Sequence, residues 1–193
     1  MLSELKRRCE DCKLCRLHKT RTNVVFGDGN EKADIMFVGE APGKNEDLTG
    51  NPFVGAAGKL LNLMLEGVHL SRGDVYIGNI VKCRPPQNRD PFEDEERACI
   101  PYLYEQLKII KPKIVVCLGR IAAKKLIKPD FQITNEHGIW FEKPDYKIMA
   151  TFHPAALIYD NSKKGVTFLD FKKIKKELDK INQRFWPLIF YFL

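Results

Sequence analysis

The stretch Asp34-Ile35-Met36-Phe37-Val38-Gly39-Glu40-Ala41-Pro42-Gly43 decides the fold. Asp34 to Val38 is mostly apolar and of strand length, so it reads as a short buried strand. Gly39-Glu40-Ala41-Pro42-Gly43 reads as a tight turn, because Pro42 fixes its own φ and Gly43 tolerates φ > 0. Glu40 therefore belongs at the C-terminal end of a strand, the place where open α/β sheets bind ligands.

The same arrangement recurs downstream. Val75-Tyr76-Ile77-Gly78-Asn79-Ile80 predicts a second strand with Asn79 near its end. Ile114 to Leu118 predicts a third, followed by Gly119 and a helix through Ile127, and Ile148 to Phe152 a fourth, ending at His153-Pro154. Helical patterns cover 2–8, 57–66 with Gly67 as the closing cap, and 168–183, where Phe168, Phe171, Ile174, Leu178 and Ile181 share one side. A further helix is expected to start with Asp90 as its cap, Pro91 at the first helical position and Glu93 three residues after the cap, and to kink at Pro101. Lys44 to Gly58 is rich in Gly, Asn, Asp and Pro and reads as a loop carrying Phe53. Strands alternating with helices predict an α/β fold, a three-layer α/β/α arrangement around a central, mainly parallel four-stranded sheet. No linker or repeat divides residues 1–193, so a single domain is expected.

Of the 193 residues, 44% are hydrophobic and 30% charged, and no apolar run approaches the ~18 residues of a membrane span. The start, Met1 to Arg8, lacks the apolar core of an export signal, so the cytoplasm is the expected location and a monomer the default. Thirty-two Lys and Arg against 25 Asp and Glu give a net charge of +7, and residues 163–184 hold eight basic and three acidic side chains. The excess suits a polyanionic partner such as nucleic acid, and equally a solvated helix face or heat adaptation. The tail, 184–193, is apolar and aromatic. Packing against the domain is one reading; with Gln183 before it, it also loosely resembles peptides that dock on sliding clamps.

Six cysteines without an export signal point to metal rather than disulfides. Cys9-Glu10-Asp11-Cys12-Lys13-Leu14-Cys15 contains two overlapping C-x-x-C pairs, either of which supplies half a site, and Cys83 and Cys99 are the candidates for the other half. Cys117, inside an apolar strand, reads as a small buried hydrophobe. At the strand ends a carboxylate (Glu40), an amide (Asn79) and an imidazole (His153) converge, with Phe53 on the loop between. That set suits a flat heterocycle, the ring stacking on Phe53 while the amide reads its edge.

Gly39-Glu40-Ala41-Pro42-Gly43 with Glu46-Asp47, Gly50-Asn51-Pro52-Phe53-Val54-Gly55, Asn79-Ile80-Val81-Lys82-Cys83-Arg84-Pro85-Pro86-Gln87-Asn88-Arg89 and Thr151-Phe152-His153-Pro154-Ala155-Ala156-Leu157 resemble the family 4, iron-sulfur uracil-DNA glycosylases from about Cys12 to Leu157. The resemblance implies a base-excision repair enzyme that flips uracil out of single- or double-stranded DNA and hydrolyses its glycosidic bond. It implies Cys12, Cys15, Cys83 and Cys99 as ligands of a [4Fe-4S] cluster, which leaves Cys9 free. It implies Phe53 as the ring that stacks on uracil, Asn79 as the reader of its edge, His153 beside O2 and Leu157 as the wedge entering the minor groove. Glu40 and Ala41 line the uracil site, and Arg84, Asn88 and Arg89 belong to the DNA-facing segment. The cluster-free enzymes carry an Asp where this chain has Ala41, so Glu40 or Glu46 must orient the water. Gly43 replaces their aromatic residue that excludes thymine. Two other readings compete: a zinc or iron-sulfur nucleic-acid-binding module without catalysis, and a glycosylase for another deaminated base.

Overall fold

The computed structural model describes residues 1–184, so the apolar tail and its clamp reading lie outside the described residues. A six-stranded sheet is built from β1 (Asp28–Gly29), β2 (Ile35–Gly39), β3 (Val75–Asn79), β4 (Ile114–Leu118), β5 (Phe141–Glu142) and β6 (Lys147–Thr151), in the order β1-β3-β2-β4-β6-β5. The four inner strands run parallel, with Gly39 opposite Asn79 and Leu118 opposite Thr151. The two outer strands pair antiparallel and hold two residues each, which corrects the expected count of four. Two residues are too few to generate a period, so no sequence pattern could announce them.

Alternate residues of each inner strand enter different cores, as the pleat requires. Met36, Val38, Val115 and Cys117 pack on one face with residues of α1 (Leu2–Glu10), α4 (Glu93–Ile110) and α5 (Arg120–Leu126). Ile35, Phe37, Val116 and Leu118 pack on the other with α3 (Ala56–Glu66), α7 (Pro154–Tyr159) and α8 (Lys163–Arg184). On this second face Phe37 and Phe171 stack with centroids 5.6 Å apart, and Phe168, Leu178 and Ile181 lie along it as the helical pattern predicts. Helices on both faces make three layers, and the inner strands are mostly apolar because both of their faces are covered.

Two local expectations are overturned. Lys44–Thr49 is a helix, α2, not loop: Gly43 caps it, Glu46 and Asp47 favour its positive end, and Gly50 closes it. Asp90 does not cap α4. Phe92 holds that position and the Glu95 carboxylate accepts its backbone N–H at 2.8 Å, while Asp90 pairs with Arg120. The helix runs on through Pro101 to Ile110. A short helix, α6 (Ile133–Glu136), and three 3-10 turns complete the described chain.

The topology fixes where a ligand can bind. From β2 the chain moves outward to β3 and then returns past β2 to β4 and β6, so the order of travel reverses at β2. The loops that diverge beyond such a strand open a crevice at its C-terminal end.

Candidate active site

A cavity of about 360 Å³ occupies that crevice. Glu40, Ala41 and Gly43 come to it from the end of β2, Glu46 from α2, Asn79 from β3, Asn88, Arg89 and Asp90 from the segment before α4, and His153 from the end of β6. Three sequence motifs more than thirty residues apart thus share one wall.

Gly39 lies against two of the lining side chains, Asn79 and Phe53. A Cβ there would stand 2.4 Å from Asn79 Oδ1 and 2.7 Å from Phe53 Cζ, so the strand end is bare because an amide and a ring both press on it. Phe53 is held in the left-handed region at φ 52, a costly place for an aromatic residue. Three contacts enforce it. Arg72 donates to the carbonyls of Pro52 (2.8 Å) and Phe53 (3.1 Å), and Gly58, where a Cβ would fall 1.8 Å from the Phe53 oxygen, lets α3 approach closely. Asn79 is 1% exposed, and its Oδ1 is buried with no hydrogen-bond partner. A buried acceptor left unpaired costs about 1–3 kcal/mol, so it marks a place built for a donor from outside the chain.

His153 caps α7: its Nδ1 accepts the Ala155 N–H at 3.1 Å. An accepting Nδ1 carries no proton, so in the neutral ring Nε2 carries it. The ring is half-buried beside Phe53, 5.6 Å between centroids, and loss of water lowers its pKa to about 4 against an opposing pull from Glu46. His153 is therefore a neutral Nε2–H donor at physiological pH.

The two acids differ. Burial raises the Glu40 pKa to about 7, assisted by the neighbouring Asp90 carboxylate and opposed by Arg120. Glu46 is committed elsewhere, since its Oε1 accepts the N–H groups of Val54 and Gly55, both at 2.9 Å, and so ties the Phe53 loop to α2. Its Oε2 fills the space beside Gly43, 2.7 Å from where a Cβ would lie. The side chain missing at 43 is thus replaced by a carboxylate reaching over from 46.

Cys9, Cys12, Cys15, Cys83 and Cys99 line a second, smaller cavity, while Cys117 is buried in β4 as expected. No group of three or more His, Cys, Asp or Glu among the described residues is spaced to hold a single metal ion. Two of the sulfurs already accept N–H groups at 3.2 Å, Cys83 from the Arg21 guanidinium and Cys99 from the Lys82 backbone. Such bonds favour a sulfur that carries negative charge, as a metal-bound thiolate does.

Comparison with known proteins decides the family. The model for the uracil DNA glycosylase superfamily matches residues 26–185. The chain is 48% identical to the type-4 uracil-DNA glycosylase of Archaeoglobus fulgidus over 183 residues, 90% of this chain and 91% of the relative. It is 48% identical to that of Sulfurisphaera tokodaii, over 91% and 84% of the two chains, and 40% identical to that of Thermotoga maritima, over 93% and 96%. The chain belongs to the uracil-DNA glycosylase superfamily.

The residues expected to face DNA in this superfamily member divide three ways. Asn88 and Arg89 line the cavity, with Arg89 fixed by paired bonds to Glu95 (2.7 and 2.8 Å) and stacked 3.7 Å over Phe92. Arg84 stands outside the cavity wall and donates to Asn88 Oδ1 at 2.7 Å. Leu157 is 0% exposed and packs in the core beneath α7, so it is no wedge in this structure. Ala156, Ile158 (44% exposed) and Tyr159 (90%) face outward on that helix. The expected apolar residue and its exposed neighbour differ by one position, which on a helix is a turn of about 100°.

Proposed function

We propose that this protein is a DNA repair glycosylase that takes uracil out of the helix and hydrolyses its N-glycosidic bond, releasing free uracil and leaving an abasic site. The observation that carries the reading is the unpaired Asn79 Oδ1, which meets the edge of Phe53 over the bare Cα of Gly39. Uracil presents N3–H beside the O4 acceptor, and cytosine presents the reverse. One amide in a fixed orientation accepts from N3–H through Oδ1 and donates to O4 through its nitrogen for uracil and not for cytosine. Inverting two buried hydrogen bonds at once rejects the wrong base by several powers of ten.

When the C1′–N1 bond breaks, its electron pair stays on the base and the sugar becomes cationic. The Nε2–H of His153 donates to the charge gathering on O2, where a fixed neutral donor needs no rearrangement. Glu40, once ionised, faces the sugar cation and takes the proton of the water that adds to C1′. Glu46 holds the Phe53 loop instead of sharing this task, and through its second oxygen narrows the slot beside Gly43. Phe53 supplies the stacking surface, Ala41 the close backbone approach, and Arg84, Asn88 and Arg89 the contacts to the strand.

Cys12, Cys15, Cys83 and Cys99 are proposed to hold a [4Fe-4S] cluster. The support is their common cavity and the N–H groups on Cys83 and Cys99. Its contribution is structural, bracing the N-terminal helix against the segment that carries Arg84 to Arg89. Among the described residues no helix is long and apolar enough to cross a membrane, and a cytoplasmic enzyme acting on uracil-containing DNA accords with this.

Anaerobically purified protein, incubated with single- and double-stranded DNA carrying uracil, hypoxanthine or a thymine mismatch and then treated with alkali, is expected to cut at uracil alone. Iron and sulfide in equal amounts are expected in the same preparation. Cleavage at hypoxanthine but not uracil would transfer the reading to another deaminated base. Absence of cleavage with stoichiometric zinc would leave a binding module.

The acids also predict a pH dependence. The single-turnover rate should rise with pH through about 7, as Glu40 loses its proton, and then stay level, because His153 gains a proton only near 4. Asp90→Asn removes a like charge and releases Arg120, both of which lower the Glu40 pKa, so the rising limb should move to lower pH. A limb unmoved by Asp90→Asn would exclude Glu40 as the titrating group.

A further inference from the structure

Lys82 is fully buried, and nothing in the reaction above uses it. A lysine is almost never enclosed without partners, because its amine loses water on every side. Here the partners are specific. Nζ donates to the Asn79 carbonyl at 2.9 Å and to Gln106 Oε1 at 2.6 Å, and lies 6.0 Å from the centre of the Phe26 ring. Gln106, itself buried, donates in turn to the Phe26 carbonyl (2.9 Å) and the Tyr76 hydroxyl (3.2 Å). Charged or neutral, the amine has protons enough for both bonds.

The carbonyl that Lys82 holds is the last of β3. On one side of β3 the short β1 pairs only with Tyr76 and Ile77 and ends before it. On the other, the next amides are used by β2 and its turn: Ile80 donates to Gly39 and Val81 to Glu40. The peptide leaving Asn79 is therefore held through both of its polar groups, its N–H side on Gly39 of β2 and its carbonyl on the Lys82 amine. The main chain of Lys82 is anchored as firmly, its N–H on Cys99 Sγ and its carbonyl accepting from Val25 at 2.8 Å.

We infer that Lys82 is a positioning residue, whose amine fixes the Asn79 peptide so that the amide above Gly39 faces the edge of the base, and whose backbone ties that peptide to the cysteine-lined cavity. The inference rests on the proposed reading of Asn79 as the uracil-recognising residue. A lysine that only filled space would be exchangeable for methionine, which has similar length and no donors. A lysine that aims Asn79 would not be.

The test compares wild-type protein with Lys82→Met, well below the melting temperature of each, for inhibition by free uracil, single-turnover release of uracil, affinity for a duplex carrying an abasic-site analogue, and iron content. Free-uracil inhibition is expected to weaken about tenfold in Lys82→Met, with a fall of about tenfold in the single-turnover rate, the usual scale for one misdirected buried hydrogen bond. Abasic-duplex affinity and iron content should stay within about twofold, since neither depends on the Asn79 amide. Inhibition and rate both within about twofold of wild type, with only the melting temperature lowered, would overturn the inference. Should Lys82→Met not fold, Gln106→Leu removes one of the two acceptors, and a weakening of about threefold in uracil inhibition is expected; unchanged inhibition would again overturn it. Wild-type protein that neither releases uracil nor is inhibited by it would instead defeat the reading of Asn79, and the two failures are told apart by that arm.

Discussion

Asn79→Ala is expected to lower the single-turnover rate of uracil release about a thousandfold or more, while affinity for DNA changes little. The estimate follows from what the amide does. Among the described residues it is the one polar side chain at the slot whose acceptor is both buried and unpaired, so its bonds to a base replace nothing within the protein. Removing it leaves N3–H and O4 of an enclosed uracil without partners, and sites built around such bonds lose about 10⁴ to 10⁵ in discrimination when the pair is broken. Phosphate contacts dominate affinity for DNA and do not involve this residue, so binding should persist. Rapid-mixing measurement of free uracil under enzyme excess gives the rate directly. A loss of less than about tenfold would mean that the base is recognised elsewhere in the cavity.

Much of this site was legible before any coordinates. Glu40, Asn79 and His153 each end a short apolar run, and parallel strands place such ends together, so their meeting follows from the topology. What the sequence could not give is the side of an element on which a residue falls when apolar residues stand on both sides. In Ala155-Ala156-Leu157-Ile158-Tyr159 every position is compatible with the core, and only the packing of α7 shows that Leu157 is inward and Tyr159 outward. Lys82 is a similar case. Between Val81 and Cys83-Arg84 it looks like one of several basic residues available to phosphate, yet it is enclosed and bound to Asn79 and Gln106. Asp90-Pro91 carried a genuine cap signature, but Glu95 could satisfy the backbone at Phe92 and bind Arg89 together, which left Asp90 free to pair with Arg120 and act on Glu40. The helix α2 does carry a signal in the sequence: Gly43 and Gly50 bracket six residues with two acids in the first turn, a recognisable though short helical pattern.

Gly39→Ala is expected to reduce uracil release by at least about a hundredfold although it adds one methyl group. Its Cβ would lie 2.4 Å from Asn79 Oδ1 and 2.7 Å from the rim of Phe53, distances at which something must move. Neither neighbour yields freely. Asn79 is gripped through its carbonyl by Lys82, and Phe53 sits on a loop bound by Arg72, by Glu46 and by the close approach of Gly58. Overpacking an enclosed site costs about 1–3 kcal/mol, and here the strain falls on the two groups that contact the base, one on its edge and one on its face. A displacement of about 1 Å in a positioned group can cost a hundredfold in rate, and both groups are displaced together. The strand itself should survive, because alanine is compatible with extended backbone and the hydrogen bonds from Ile80 and to β3 involve main-chain atoms alone. The variant should therefore melt cooperatively, retain its iron and bind an abasic duplex, yet fail to be inhibited by free uracil. Retained inhibition by uracil would show that the base does not lie between Asn79 and Phe53.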